Sequence, residues 1–143
     1  MENDTIELLK KCAAGAKMGI SSIDEILENV SDTKLKELLQ ESKHQHKNLC
    51  SDIHSQLSQH QSMEEEPDPM AKGMSWLKTN LKMTMNNSDS TVADLITDGC
   101  NMGVKSLHKY LNQYKDADES SQKLCRQLAL IEEQLCQQIR CYL

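Results

Sequence analysis

The chain has 143 residues, 22 acidic against 16 basic, and a formal net charge of −6. That length suits one domain, 1–143, with a modest core. The acidic balance excludes the basic footprint that nucleic acid or an anionic membrane surface requires. No stretch approaches the roughly 18–20 apolar residues of a membrane span. Met1-Glu2-Asn3-Asp4 offers no apolar leader segment, so a cytoplasmic location is expected.

Phe is absent, Trp occurs once and Met eight times, so the core must be aliphatic and Met-filled. Helix formers dominate and the two prolines, Pro67 and Pro69, fall together, which predicts an all-α chain. The six cysteines include no C-x-x-C pair, and their wide spacing gives no zinc framework. Reduced, buried thiols are expected.

In chain order, Ile6, Leu9, Ala13, Ala16, Ile20, Ile23, Leu27 and Val30 step by three and four, the signature of an amphipathic helix. Asp4 and Glu7 have the spacing of a capping box at its start. Ser31 and Asp32 offer caps for a second helix, with an apolar line through Leu35, Leu38, Leu39, Ser42, Leu49, Ile53 and Leu57. So short a turn forces the two helices antiparallel, giving a hairpin over 4–61. Residues 62–90 form a crossover that opens with the acidic, Pro-broken Met63 to Pro69 and then carries a short helix with Met70, Met74, Leu77, Leu81 and Met85. The second hairpin, 91–142, has a third helix through Val92, Leu95, Gly103, Leu107 and Leu111. Its fourth helix opens at a capping box of Asp116 and Glu119 and runs through Leu124, Leu128, Ile131, Leu135 and Ile139.

The hairpins repeat one another. Gly15-Ala16-Lys17-Met18-Gly19-Ile20-Ser21-Ser22-Ile23 is answered by Gly99-Cys100-Asn101-Met102-Gly103-Val104-Lys105-Ser106-Leu107, an offset of 84 (99 − 15). Leu49-Cys50-x-x-Ile53 is answered by Leu135-Cys136-x-x-Ile139, an offset of 86 (135 − 49). Two hairpins joined by one long crossover is the ferritin-like arrangement of a four-helix bundle. A plain up-down bundle with an extra helix is the rival.

The duplicated hairpin, the central segment Lys72-Gly73-Met74-Ser75-Trp76-Leu77-Lys78, and Leu95 followed by Tyr110 resemble a bacterial family of uncharacterised ferritin-like domains. The likeness spans nearly the whole chain and rests on layout. The family's central segment usually reads Arg-Gly-Trp, where this chain has Lys72-Gly73-Met74 with Trp76 displaced. The resemblance implies the fold and no particular activity. It also implies that Gly103 stands where many relatives have Glu.

Ferritin-like di-iron sites draw one Glu from each of two helices and a Glu-x-x-His from each of the other two. The chain has one such motif, Glu41-x-x-His44. The 86-residue offset maps Glu41 to Gln127 and His44 to Leu130, so the second motif is missing. At matching depth on the first and third helices stand Gly19 and Gly103, which supply no ligand and predict close helix approach instead. With Ser42 as the zero of the second helix's apolar face, Glu41 lies about 100° away and His44 about 160° away, both toward solvent. His46 lies about 40° from that zero. Its partner in the repeat is Glu132 (46 + 86). The two are expected to approach from opposite hairpins, as a hydrogen-bonded pair that fixes register or as a residual metal- or proton-binding pair. Two ligands alone leave a metal under-coordinated. His54, His60 and His108 are expected at the surface.

Two functions compete. One is a non-catalytic bundle that has lost its di-metal centre and acts through protein–protein association, as a homodimer or other homo-oligomer, with Trp76 as a candidate anchor and no cofactor. The other is a metal-binding or oxidoreductase protein with an atypical iron or manganese site, its ligands drawn from Glu41, His44, His46 and Glu132.

Overall fold

A computed structural model describes residues 2–60 and 88–143. The Met70 to Met85 helix, the Lys72-Gly73-Met74 segment and Trp76 lie outside these residues. Among the described residues there are four α-helices: α1 (Glu2–Leu27), α2 (Thr33–Gln59), α3 (Asp89–Gln113) and α4 (Glu119–Gln138), followed by a 3₁₀ turn, Arg140–Tyr142. They form a four-helix bundle of two hairpins, α1–α2 and α3–α4, with α2 and α4 packed across the bundle. Among the described residues no helix is long and apolar enough to cross a membrane.

Local chemistry sets the helix starts. Asp32 is the N-cap of α2, accepting from the Leu35 amide at 2.9 Å. Ser88 caps α3 through the Thr91 amide, and Asp118 caps α4 through the Ser121 amide at 2.8 Å. Each satisfies one amide that the first turn leaves without a helical partner. Two expected capping boxes fail. Helix α1 already begins at Glu2, before Asp4, and α4 begins at Glu119, with Asp118 and not Asp116 as its N-cap.

The displaced aspartate Asp4 serves tertiary structure instead. Its Oδ2 accepts from the Asp116 amide at 3.2 Å, and neighbouring Thr5 Oγ1 accepts from the Asp118 amide at 2.8 Å. The start of α1 thereby clasps the α3–α4 turn. At the other end, Asp89 in the first turn of α3 accepts from the Ser31 and Asp32 amides at 2.8 and 3.0 Å. The start of α3 thereby clasps the α1–α2 turn, so each hairpin ties down the bend of the other.

Among the described residues the core divides into two apolar clusters. One, near the α1–α2 turn, gathers Ile23, Ile26, Leu35, Leu39, Val92, Ile96, Leu135 and Ile139. The other, near the α3–α4 turn, gathers Leu8, Leu9, Cys12, Ile53, Leu57, Leu107, Leu124 and Leu128. Val30 and Ala117 bury into these clusters from the two turns themselves. The helix faces are rotated slightly from the sequence expectation. Leu8 and Ile26 are fully buried, while Ile6, Ile20, Leu27, Leu49 and Ile131 are half-buried.

Candidate functional site

Between the two apolar clusters lies a polar layer. On α2, His46 sits between Leu39 and Ile53; on α4, Glu132 sits between Leu128 and Leu135. Both are buried, His46 at 1% and Glu132 at 8% exposure. His46 Nε2 faces Glu132 Oε1 at 3.6 Å, slightly longer than a hydrogen bond. The other ring nitrogen, Nδ1, lies 2.7 Å from the Ser42 carbonyl oxygen one turn back along α2. A carbonyl only accepts, so Nδ1 carries hydrogen and donates.

The two glycines explain how these side chains fit. A Cβ at Gly19 on α1 would stand 2.8 Å from His46 Cδ2 and 2.9 Å from Nε2. A Cβ at Gly103 on α3 would overlap Glu132 Oε2 outright. Each glycine is thus the space that its hairpin partner's polar side chain occupies. The expectation of close helix approach is refined: a side chain, not a facing helix backbone, fills the room. The first glycines of each copy differ. Gly15 has only an ordinary contact with Leu128 at 3.8 Å, and a Cβ at Gly99 would meet nothing within 4 Å. Met102, shared between the copies with Met18, is 63% exposed and is no core residue.

The layer is buried, and its polar atoms are short of partners among the described residues. Burial pushes the Glu132 carboxyl above the usual carboxylate range, and the facing imidazole pulls it back only in part. Glu132 Oε2 and the Ser42 hydroxyl have no hydrogen-bond partner among the described residues. On α3, burial raises the Cys100 thiol, and the Glu132 charge adds to that. Farther along the core, Cys12 is held up by its contact with the Cys125 thiol and by burial. Four of the six cysteines, Cys12, Cys100, Cys125 and Cys136, are buried; Cys50 is half-buried and Cys141 exposed.

Of the four residues considered as metal ligands, the structure brings two together. Glu41 and His44 are exposed on α2 and do not join His46 and Glu132. Their counterparts on α4 are Gln127 and Leu130, both exposed, with Leu130 at 51%. A di-metal pair needs about six ligands. The central layer offers Gly19, His46, Gly103 and Glu132, and among the described residues no three His, Cys, Asp or Glu side chains are placed to hold a metal ion. The residues present do not fit such a centre. The outer histidines are less simple than their sequence positions suggest. His60 is half-buried and 3.5 Å from Glu2, and His108 is 4.0 Å from Glu133.

Comparison with solved structures is decisive for the fold. The crystal structure of Dps92 from Deinococcus radiodurans superposes with a TM-score of 0.78, covering 99% of this chain and 87% of that one, at 14% identity. The chain has a ferritin-like fold. At that identity the likeness carries architecture alone. No protein-family model matches the chain, and no curated protein matches its sequence.

Proposed function

We propose that this chain is a non-catalytic ferritin-like bundle, of the uncharacterised bacterial kind its sequence resembles, that has lost its di-metal centre and acts in the cytoplasm through protein–protein association. One observation carries this reading: at the middle of the bundle, glycine stands on α1 and α3, and the polar groups of α2 and α4 face each other. Ligand carboxylates restored at Gly19 or Gly103 would collide with His46 or Glu132. The layer is a closed contact between hairpins in place of a ligand set.

Association with further copies is the simplest mode, because symmetric homo-oligomers are the commonest assemblies and two-fold dimers the commonest of these. Met102 on α3 and Leu130 on α4 are large apolar side chains held out to solvent. Trp76 stays a candidate anchor on sequence grounds.

The test is metal analysis of protein purified without chelator, beside its mass in solution. The reading predicts iron and manganese well below one ion per chain, and a mass that is a multiple of 16.2 kDa. Stoichiometric iron or manganese would overturn it in favour of an atypical metal-binding or oxidoreductase protein. Substituting His46 and Glu132 together would then show whether those two residues hold the ion. A monomer that captures no partner would overturn the association half alone.

A further inference from the structure

We propose that Cys12 and Cys125 form a redox cross-linking site, a thiol pair that hydrogen peroxide converts into a disulfide joining the two hairpins through the core. The pair lies outside the central polar layer and has no part in the loss of the metal centre.

Cys12 is on α1 and Cys125 on α4, so the two thiols belong to different hairpins, 113 residues apart in the chain (125 − 12). Those helices pack directly against each other. Both cysteines are at 0% exposure in the same apolar cluster, among Leu8, Leu9, Leu124 and Leu128. Both are reduced, and they are hydrogen-bonded to each other. Cys125 Sγ also donates to the Leu107 carbonyl oxygen at 3.6 Å. Its hydrogen is thereby turned away from Cys12, so between the two sulfurs Cys12 donates and Cys125 accepts. The sulfurs already face each other, which is the starting arrangement for an S–S bond. The other cysteines are placed differently. Cys100 and Cys136 lie on α3 and α4 of one hairpin, and Cys136 Sγ donates to Asn101 Oδ1 at 3.6 Å. Cys141 Sγ donates to the Gln138 carbonyl at the exposed chain end.

The contact gives the two thiols different roles. The hydrogen bond from Cys12 pulls the Cys125 thiol down, against the burial that raises it. The same bond, and then burial, push the Cys12 thiol up. Cys125 is therefore the sulfur that attacks the peroxide. An S–O bond forms, the O–O bond breaks, and the Cys125 proton leaves with the departing hydroxide as water. The sulfur is oxidised to a sulfenic acid and the peroxide is reduced. The Cys12 sulfur then attacks the sulfenic sulfur. An S–S bond forms, the S–O bond breaks, and the hydroxide takes the Cys12 proton as a second water. Two thiols and one hydrogen peroxide give one disulfide and two waters. Burial makes the reaction slow, because closed helices exclude the oxidant and the pair reacts through local opening. Once formed, the bond ties α1 to α4 and removes freedom from the unfolded chain.

The test treats the full chain, reduced and then freed of reductant, with hydrogen peroxide in the presence of a chelator. Remaining thiols are alkylated in denaturant, and the chain is cut with trypsin without reduction. The first product should be a chain lighter by two hydrogens, in which peptides 12–17 and 124–126 are joined. No intramolecular disulfide, or one that first joins other cysteines, would overturn the proposal. In unfolding urea the same treatment should spread the cross-links over other pairs. An undiminished preference there would also overturn it, because the fold would not be what brings these thiols together. The cross-linked chain should have an unfolding constant about a hundredfold below that of the reduced chain, restored by reductant. A cross-linked chain that unfolds as readily as the reduced one would contradict the tie between hairpins.

Discussion

Within each copy of the repeated segment the two glycines have opposite meanings. Gly19 and Gly103 leave room for the polar pair, and a methyl group at either would strike His46 or Glu132. Gly15 and Gly99 face no such constraint, and Gly99 looks onto open space. The same motif thus contains a pair of glycines that the central layer requires and a pair that it does not. The difference teaches that G-x-x-M-G is not one packing device. Only its last residue is tied to the bundle's centre.

The contrast can be broken most strongly from the side-chain end. His46→Ala should cost about 3 kcal/mol in urea unfolding, because it strands a buried Glu132 whose Oε2 already has no hydrogen-bond partner among the described residues. Gly103→Ala should cost about 2 kcal/mol through overpacking against the carboxylate. In a double-mutant cycle, adding Glu132→Ala should recover at least half of that loss. An additive result would mean that the clash is relieved elsewhere. Gly19→Ala should cost less, about 1.5 kcal/mol, since it meets the edge of the His46 ring. Asp89→Ala should cost about 1 kcal/mol by releasing the Ser31 and Asp32 amides, and hydrogen exchange at those amides should rise with it. The smallest effect has the opposite sign. Gly99→Ala should stabilise the chain by about 0.5 kcal/mol, because it restrains the unfolded state at no steric cost. If Gly99→Ala and Gly103→Ala behave alike, the distinction between the two glycines is wrong.

Much of the fold was legible in the sequence because it is local. The three-and-four spacing marked the helices, Asp32 marked the start of α2, and the repeat arithmetic paired His46 with Glu132 across the bundle. Glu41 and His44 could be turned toward solvent by helical angle alone. What escaped was what depends on remote neighbours. Asp4 has the spacing of a cap for its own helix, yet it accepts from a turn 112 residues away. Asp116 is likewise passed over, and Asp118 caps α4 in its place. Glycine in a helix signals a missing side chain, but the sequence does not say whether a helix backbone or a side chain fills the space. His60 gained a partner in Glu2 for the same reason, since the contact joins the ends of two helices. The central layer was therefore visible as a pair of residues but not as a fitted set of four.

The central claim is that this layer is closed to metal. Calorimetric titration of metal-free protein with iron(II) and manganese(II), alongside the His46→Ala/Glu132→Ala double variant, tests it most directly. The account predicts no saturable binding that the double substitution removes. Saturable binding at one or two ions per chain, lost in the double variant, would contradict it.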